Sequence, residues 1–207
     1  MKAAGNDVYK TLAAASEAVF KDRSSRFLAF AYPVSDTEQV RQHLDALRKK
    51  YYDATHHCYA YRLKCDGSVF RANDDGEPSG TAGRPILGQM MSMGVTECLV
   101  VVVRYFGGIK LGVPGLINAY RESTAAVLGC ADIIEKTADT RFDIIFPYMS
   151  MNDVMKVVKE EQPRIVNQQF DNLCAMTLAI RRSRAGRLGD RLEKVEGVQI
   201  ERKEEEE

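Results

Sequence analysis

Hydrophobic and polar positions in the first part of the chain alternate between two periods, one typical of strands and one typical of helices. Apolar side chains recur at helical spacing in three segments, which predicts helices over 36–50, 84–93 and 113–128. Strand-like patterns occupy four segments, 24–33, 56–63, 68–71 and 97–104. The last of these is continuously apolar, with four valines in a row, so we expect it at the centre of a sheet. Ser35 and Glu38 are predicted to form a capping box at the first helix.

The second part of the chain has a different order of elements. Strands are predicted over 139–146, 164–170, 173–180 and 198–202, with helices beginning near Ser150 and Ser183. The resulting order, β-α-β-β-α-β, is that of a ferredoxin-like split βαβ domain. We therefore predict an α+β protein with domains at 1–137 and 138–203, followed by an acidic tail at 204–207.

Composition narrows the class of protein. The 207 residues include 29 basic and 29 acidic side chains, so nucleic-acid binding would need a local basic patch. Apolar runs are too short to span a bilayer, and the N-terminal segment lacks the apolar core of a signal peptide, which predicts a cytoplasmic protein without a membrane contact. The five cysteines form no CxxC pair and are expected to be reduced thiols rather than zinc ligands.

A glycine-rich turn follows the valine strand and leads into the third predicted helix. Its glycines, among them Gly107, Gly108 and Gly112, tolerate positive φ and let the backbone approach a partner closely. A helix N-terminus offers unpaired N–H groups, and Arg104 and Lys110 add positive charge. The turn therefore predicts a contact with an anion such as a phosphate group.

The loop at 73–85 carries three acids before a glycine-rich entry into a helix, and it has several interpretations. Asp74, Asp75 and Glu77 could hold a divalent metal, although the EF-hand spacing is absent. Gly80 to Gly83 could cradle a phosphate. Gly83 and Gly88 have the glycine spacing of a P-loop, but Gln89 stands where the lysine is needed and Met90 where Ser or Thr is. The remaining interpretation is a tight loop whose acids cap the following helix.

Histidines and arginines supply the other candidate sites. His56 and His57 are adjacent on a strand and point to opposite faces, so they do not share one metal ion, and a structural or ligand-contacting role is favoured. The signature sequences of common hydrolases and dehydrogenases are missing. Near the C-terminus, a basic stripe on one helix face could neutralise phosphates or be a solvated face beside Asp190 and Glu193; it consists of Arg184, Arg187 and Arg191, with Arg181 nearby.

Four blocks of this sequence resemble the IMPACT/YigZ family. They are Ser25-Arg26-Phe27, Asp53 to Cys58 (DATHHC), Asp74 to Gly83 (DDGEPSGTAG) and Val102 to Gly108 (VVRYFGG) continued by Lys110-Leu111-Gly112. The resemblance implies an N-terminal domain similar to the second domain of a small-subunit ribosomal protein. It also implies a ferredoxin-like C-terminal domain similar to domain V of elongation factor G. Pro114 departs from the family pattern and suits the first turn of a helix.

The resemblance also implies a function. Eukaryotic IMPACT proteins are implied to regulate translation by competing with an initiation-factor kinase for its ribosome-associated activator. Because this chain has the bacterial two-domain layout, we do not expect it to bind that particular activator. We expect a non-enzymatic binding protein linked to translation, without a cofactor or metal, that contacts RNA or a ribosome-associated protein. The alternatives are an enzyme or binder of a phosphorylated small molecule or nucleotide, and a protein-only adaptor. The expected contacts are Arg104, Tyr105, Gly107, Gly108, Lys110, Gly112, His56, His57, Asp75, Glu77, Thr81 and Arg84, with a second patch at Arg181, Arg184, Arg187 and Arg191.

Overall fold

A computed structural model describes residues 7–204 of the chain, which divide into two compact units. One unit is Tyr9–Lys136, and the other runs from Thr137 onward and includes Asp7 and Val8. Both units combine helices with antiparallel sheets, which confirms the predicted α+β class. The independent domains at 1–137 and 138–203 stay a prediction, and the predicted acidic tail lies outside the described residues except for Glu204. Within residues 7–204, no helix is long and apolar enough to cross a membrane.

The first unit is built on a five-stranded antiparallel sheet with helices on both faces. Its strands are β1 (Val8–Leu12), β2 (Ser16–Asp22), β3 (Ser25–Pro33), β4 (His56–Leu63), β5 (Val69–Asn73), β6 (Cys98–Tyr105) and β7 (Ile133–Thr137). Its helices are α1 (Thr37–Lys50), α2 (Gly83–Ser92) and α3 (Gly112–Cys130). The sheet order is β2-β3-β6-β4-β5, while β1 and β7 pair separately.

Strand β6 is the centre of this sheet, as its continuous apolar pattern predicts. Val101 and Val103 pack in the cluster that contains the buried face of α1. Val100 and Val102 pack in the opposite cluster, with residues of α2 and α3. All four valines are fully buried, and each such burial contributes roughly 1.5–3 kcal/mol. The sheet therefore fixes the position of the residue that follows the valines, Arg104.

Some local features differ from the sequence-based expectations. Strands β1, β2 and β7 were not predicted, because their short segments mix small, polar and apolar residues. The cap of α1 lies one residue later than predicted, since the carboxylate of Asp36 accepts the Gln39 N–H at 2.8 Å. The Ser35 N–H donates in return to the Gln39 side-chain oxygen at 3.1 Å. A capping pair is present, but Glu38 is not part of it.

The second unit has the predicted β-α-β-β-α-β order. It consists of β8 (Asp139–Pro147), a 3₁₀ turn, α4 (Met151–Glu161), β9 (Arg164–Gln169), β10 (Leu173–Arg181), α5 (Arg182–Leu192) and β11 (Gln199–Glu204), in the sheet order β11-β8-β10-β9. Ser150 occupies the N-cap position of α4 as predicted, but its hydroxyl donates to the Glu196 carbonyl at 2.7 Å and forms no capping hydrogen bond with the helix. The N-terminus of α5 is capped from a distance, because Asp7 Oδ1 accepts the Ser183 N–H at 2.7 Å. The likeness to named ribosomal and elongation-factor domains stays a prediction.

Candidate functional site

A buried polar cluster lies at the end of the central strand β6, where the sequence motifs meet. Arg104 Nη1 donates to Glu77 Oε1 at 2.6 Å, and the hydroxyl of Tyr120 on α3 donates to the same oxygen at 2.7 Å. Arg104 is only 5% exposed and Glu77 8%. Because both charges are away from water, each depends on the other for compensation. This pair is the centre of what we call the ion-pair cluster, formed by Arg104, Glu77, Tyr120, Ser25, His56 and Cys58.

Arg104 also joins this cluster to the glycine-rich turn. Its Nη2 lies 3.4 Å from the hydroxyl of Ser25, and that hydroxyl accepts the Gly107 N–H, also at 3.4 Å. The guanidinium carbon lies 5.5 Å from the ring centres of both Phe27 and Phe106, which is within cation–π range. The side chain of Arg104 therefore contacts the turn from the protein interior and does not extend into solvent.

The thiol and imidazole of the DATHHC block complete the cluster. Cys58 Sγ lies 3.0 Å from the Asp74 carbonyl oxygen and 3.3 Å from the Tyr120 hydroxyl oxygen. Burial raises the pKa of Cys58 and of Tyr120, so both groups stay protonated at neutral pH. His56 Nδ1 is 2.8 Å from the Asp75 carbonyl oxygen, and because a carbonyl only accepts, we assign the hydrogen to Nδ1. His56 Nε2 is then directed toward Glu77 Oε2, at 3.9 Å.

Asp74 caps helix α2 from the preceding loop. Its carboxylate accepts the N–H groups of Gly80 at 2.8 Å, Ala82 at 3.0 Å and Gly83 at 2.8 Å. Burial by itself would raise the pKa of Asp74, but these three hydrogen bonds and nearby Arg84 outweigh it, so the pKa is lowered. The structure thus favours the capping interpretation of this loop. Among residues 7–204, no group of three or more His, Cys, Asp or Glu side chains is placed to hold a metal ion.

Asp75 and His57 connect the same loop to the other face of the sheet. Asp75 has a φ of 42°, and its Oδ2 accepts the His57 N–H at 2.6 Å. The side chain of His57 is buried, and burial lowers its pKa more than Asp75 raises it. His56 and His57 lie on adjacent positions of β4 and therefore on opposite faces of the sheet. The two histidines accordingly belong to separate environments.

Glycines in these blocks allow close approach within the chain itself. A Cβ on Gly107 would lie 1.9 Å from the Ser24 carbonyl oxygen, and a Cβ on Gly83 would lie 2.5 Å from the Asn73 backbone nitrogen. Gly108 and Gly112 have φ values of 84° and 73°, which L side chains rarely adopt. The close backbone approach expected at Gly107 is thus made to the β2–β3 turn.

The glycine-rich turn and the first turns of α3 carry exposed side chains that are mainly apolar. Its large side chains are Phe106 (46% exposed), Ile109 (49%), Val113 (52%) and Ile117 (38%). Val113 and Ile117 are four residues apart on α3 and share one side of that helix. The side chain of Lys110 is exposed beside them. We refer to these five residues, Phe106, Ile109, Lys110, Val113 and Ile117, as the turn face.

Three other predicted contact residues lie outside the cluster. The Tyr105 hydroxyl donates to Asp53 at 2.8 Å, which raises the pKa of Tyr105, and the Arg26 guanidinium lies 4.9 Å from its ring centre. Thr81 is buried, and its hydroxyl donates to the Pro78 carbonyl at 2.6 Å. Arg84 is exposed on the first turn of α2. The structure does not bring these three residues together.

The predicted basic stripe of the second unit surrounds one buried carboxylate. Arg187 Nε and Arg191 Nη1 lie 2.9 and 2.6 Å from Glu161 Oε1, and Arg184 Nη2 donates to the Glu161 carbonyl at 2.7 Å. Arg191 also pairs with Glu160. Acids of α4, rather than the expected Asp190 and Glu193, therefore compensate this stripe. Arg181 precedes α5 and is exposed.

Three residues of the ion-pair cluster were not among the predicted contacts: Ser25, Cys58 and Tyr120. The pattern of α3 indicates only that Tyr120 faces inward, and Cys58 has the pattern of a small buried residue of a strand. Asp74 was considered as a metal ligand or as one of the acids that cap α2, and its carboxylate forms the cap. Ser25 was noticed only as part of a family block.

Comparisons with known proteins identify the family of this chain. The profile of the Impact N-terminal domain matches residues 23–128. The IMPACT family member YvyE of Bacillus subtilis (strain 168) is 38% identical over 128 residues, which cover 62% of this chain and 59% of YvyE. YigZ of Escherichia coli (strain K12) is 31% identical over 160 residues, 76% of this chain and 78% of YigZ. A crystal structure described as a hypothetical protein aligns with a TM-score of 0.69 at 28% identity, over 94% of this chain and 97% of that one. The chain belongs to the IMPACT family.

Proposed function

We propose that this member of the IMPACT family is a non-enzymatic, cytoplasmic binding protein that acts in the regulation of translation. It would contact a ribosome-associated partner through the turn face. The observation that carries the proposal is that the motif residues are buried and paired with one another beneath an exposed, mainly apolar turn. Support for the link to translation is family membership, since the resemblance to eukaryotic IMPACT proteins implies that function.

The chemistry of the buried groups favours binding over catalysis. Glu77 is occupied by Arg104 and Tyr120, and the oxygens of Asp74 accept backbone N–H groups. The thiol of Cys58 has a raised pKa, so it is a weak nucleophile at neutral pH. Cys58, Cys98 and Cys174 are buried thiols, which supports a reducing compartment such as the cytoplasm.

Charge distribution favours a protein partner over RNA at this surface. Arg104 is buried against Glu77, and Arg187 and Arg191 of the second unit are paired with Glu160 and Glu161. Phosphate binding depends on uncompensated lysines and arginines. The turn face has four large apolar side chains and one such cation, Lys110, with Arg23 beside it. A ribosome-associated protein therefore fits it better than an RNA backbone.

Co-sedimentation of the full chain with purified ribosomes tests the proposal. We expect the chain in the ribosomal pellet, and we expect Phe106→Ala to lower the bound fraction severalfold by removing an exposed apolar contact. Phe70→Ala is the matched control, because Phe70 lies on the edge strand β5 and is 54% exposed. Absence of the chain from the pellet, or equal loss with both variants, would refute the proposed contact.

Two further measurements separate the alternatives. A saturable rise in melting temperature with nucleotides and Mg²⁺ would support the small-molecule enzyme or binder instead. Loss of ribosome association in Leu173→Ala, at an exposed position of β10, with none in Phe106→Ala, would move the contact to the second unit and support the adaptor.

A further inference from the structure

We infer that the occupant of the turn face is an amphipathic helix of a partner protein whose flanks are acidic. This inference rests on the proposed function only in using the same surface, and it names the chemistry of the partner. Two independent properties of the surface carry it: the shape of its apolar side chains and the sign of the charges around them.

The apolar side chains are mostly branched and aliphatic. Ile109, Val113 and Ile117 have no flat ring on which a base could stack, whereas single-stranded nucleic acids are held chiefly by aromatic platforms and cations. Val113 and Ile117 form a ridge along α3. Such ridges pack against the apolar stripe of another helix, whose side chains repeat every three or four residues. The composition of the turn face thus favours a helical protein segment.

Positive charge lies beside this apolar surface. Arg23 donates to the Lys110 carbonyl at 3.0 Å, which places its guanidinium next to the turn and close to Lys110. Among residues 7–204, neither the guanidinium of Arg23 nor the ammonium of Lys110 forms an ion pair with a carboxylate.

Several acids of the neighbouring segments are already paired with other groups. The carboxylate of Glu77 is taken by Arg104, and Asp53 accepts a hydrogen bond from Tyr105. On the next turn of α3, Glu122 lies 3.4 Å from Arg121. Acidic side chains flanking an apolar stripe would complement the cations, and complementary charge sets which partner binds and how quickly.

Titration of the ¹⁵N-labelled full chain with designed peptides tests this inference. The peptides are about 18 residues long, or about five helical turns, with leucine along one stripe and either glutamate or lysine at every flanking position. Backbone chemical shifts report the location of binding and its dissociation constant. We expect the glutamate peptide to bind at least tenfold more tightly than the lysine peptide, with shifts concentrated in residues 106–117.

A charge-reversal variant provides the decisive comparison. Lys110→Glu combined with Arg23→Glu should reverse the preference, so that the lysine peptide binds more tightly. The matched control is Arg71→Glu with Lys64→Glu, at exposed positions near the edge strand β5, and it should keep the preference for the glutamate peptide. Both double variants are checked for an unchanged spectrum outside the substituted segments.

Several outcomes would overturn the inference. They are equal affinity for both peptides, no binding of either, shifts outside residues 106–117, and tighter binding of a single-stranded RNA at the same residues. The result is separable from the proposed function. Ribosome association that depends on Phe106, without selective binding of the glutamate peptide, would leave the proposed function standing and refute this inference. Selective binding of the glutamate peptide without ribosome association would leave this inference standing and refute the proposed function.

Discussion

Substitution of Glu77 by glutamine should destabilise the first unit strongly, although it replaces only one heavy atom, a carboxylate oxygen by an amide nitrogen. Glutamine keeps an oxygen that can accept from Tyr120, so the variant isolates the loss of negative charge. Arg104 is 5% exposed and would remain as a buried cation without its partner. Breaking a buried ion pair on one side typically costs about 3–5 kcal/mol. Because the whole stability of a domain is about 5–15 kcal/mol, the effect should be large.

Urea denaturation followed by circular dichroism measures this change as a shift in the midpoint at an unchanged slope. The matched control is Glu122→Gln, also in the first unit, whose carboxylate lies 3.4 Å from Arg121 with both side chains well exposed. An exposed pair contributes at most about 1 kcal/mol. The free energy of unfolding should therefore fall several times further in Glu77→Gln than in Glu122→Gln.

A double variant tests the reason for this difference. In Glu77→Gln combined with Arg104→Met, neither charge remains, so part of the stability lost in the single variant should return. Equal midpoints for Glu77→Gln and Glu122→Gln would show that the Arg104–Glu77 pair does not stabilise the fold. A double variant that is as unstable as the sum of its single variants would show that the uncompensated charge is not the cause.

Three other predictions concern the loop, the turn and the cysteines. Asp74→Ala should lower the free energy of unfolding by about 1–2 kcal/mol in urea denaturation, because it removes the cap of α2. Since folding lowers the pKa of Asp74, the unsubstituted protein should be the more stable of the two at neutral pH and should lose this advantage as the pH falls below about 4. Gly107→Ala should lower the melting temperature sharply, since the added Cβ would lie 1.9 Å from a backbone carbonyl oxygen. Gly88→Ala on α2, with open space around it, should leave the free energy of unfolding unchanged or raise it by up to about 1 kcal/mol, and equal effects of the two variants would contradict the close approach at Gly107. A thiol reagent should modify the exposed Cys130 rapidly and the buried Cys58 only after unfolding, and mass spectrometry showing early modification of Cys58 would contradict its burial.

The sequence predicted the regular elements best where one period ran undisturbed. Strand β6, with its row of valines, lies at the centre of the sheet, and β4 has the predicted bounds, His56–Leu63. Strand β2 was missed because only Ala18 and Phe20 of its seven residues contact the core. The capping residue of α1 was displaced by one position because Ser35 and Asp36 are both good caps.

The ion-pair cluster was harder to predict because its partners are distant in sequence. Arg104 and Glu77 are 27 residues apart, and nothing local in either segment indicates that a cation predicted to meet a phosphate would meet a carboxylate of the same chain. Gly107 presents the same difficulty. Its pattern predicted a close backbone approach, and only the fold shows that the approach is to Ser24. The sequence indicated that Arg104 and Gly107 each contact another group, and it left open whether that group belongs to this chain or to a binding partner.

The position of the family blocks has a consequence for partner choice. The residues through which the chain resembles its family include most of the ion-pair cluster, such as Arg104, Glu77 and His56, and these are buried or half-buried. The branched residues of the turn face, Ile109 together with positions 113 and 117, lie outside the blocks. Family resemblance therefore extends to the residues that support the turn and to Phe106 and Lys110 of the turn face, while it does not extend to the three branched positions. A relative with the same blocks and different residues at those three positions is expected to retain the cluster and to select a different partner.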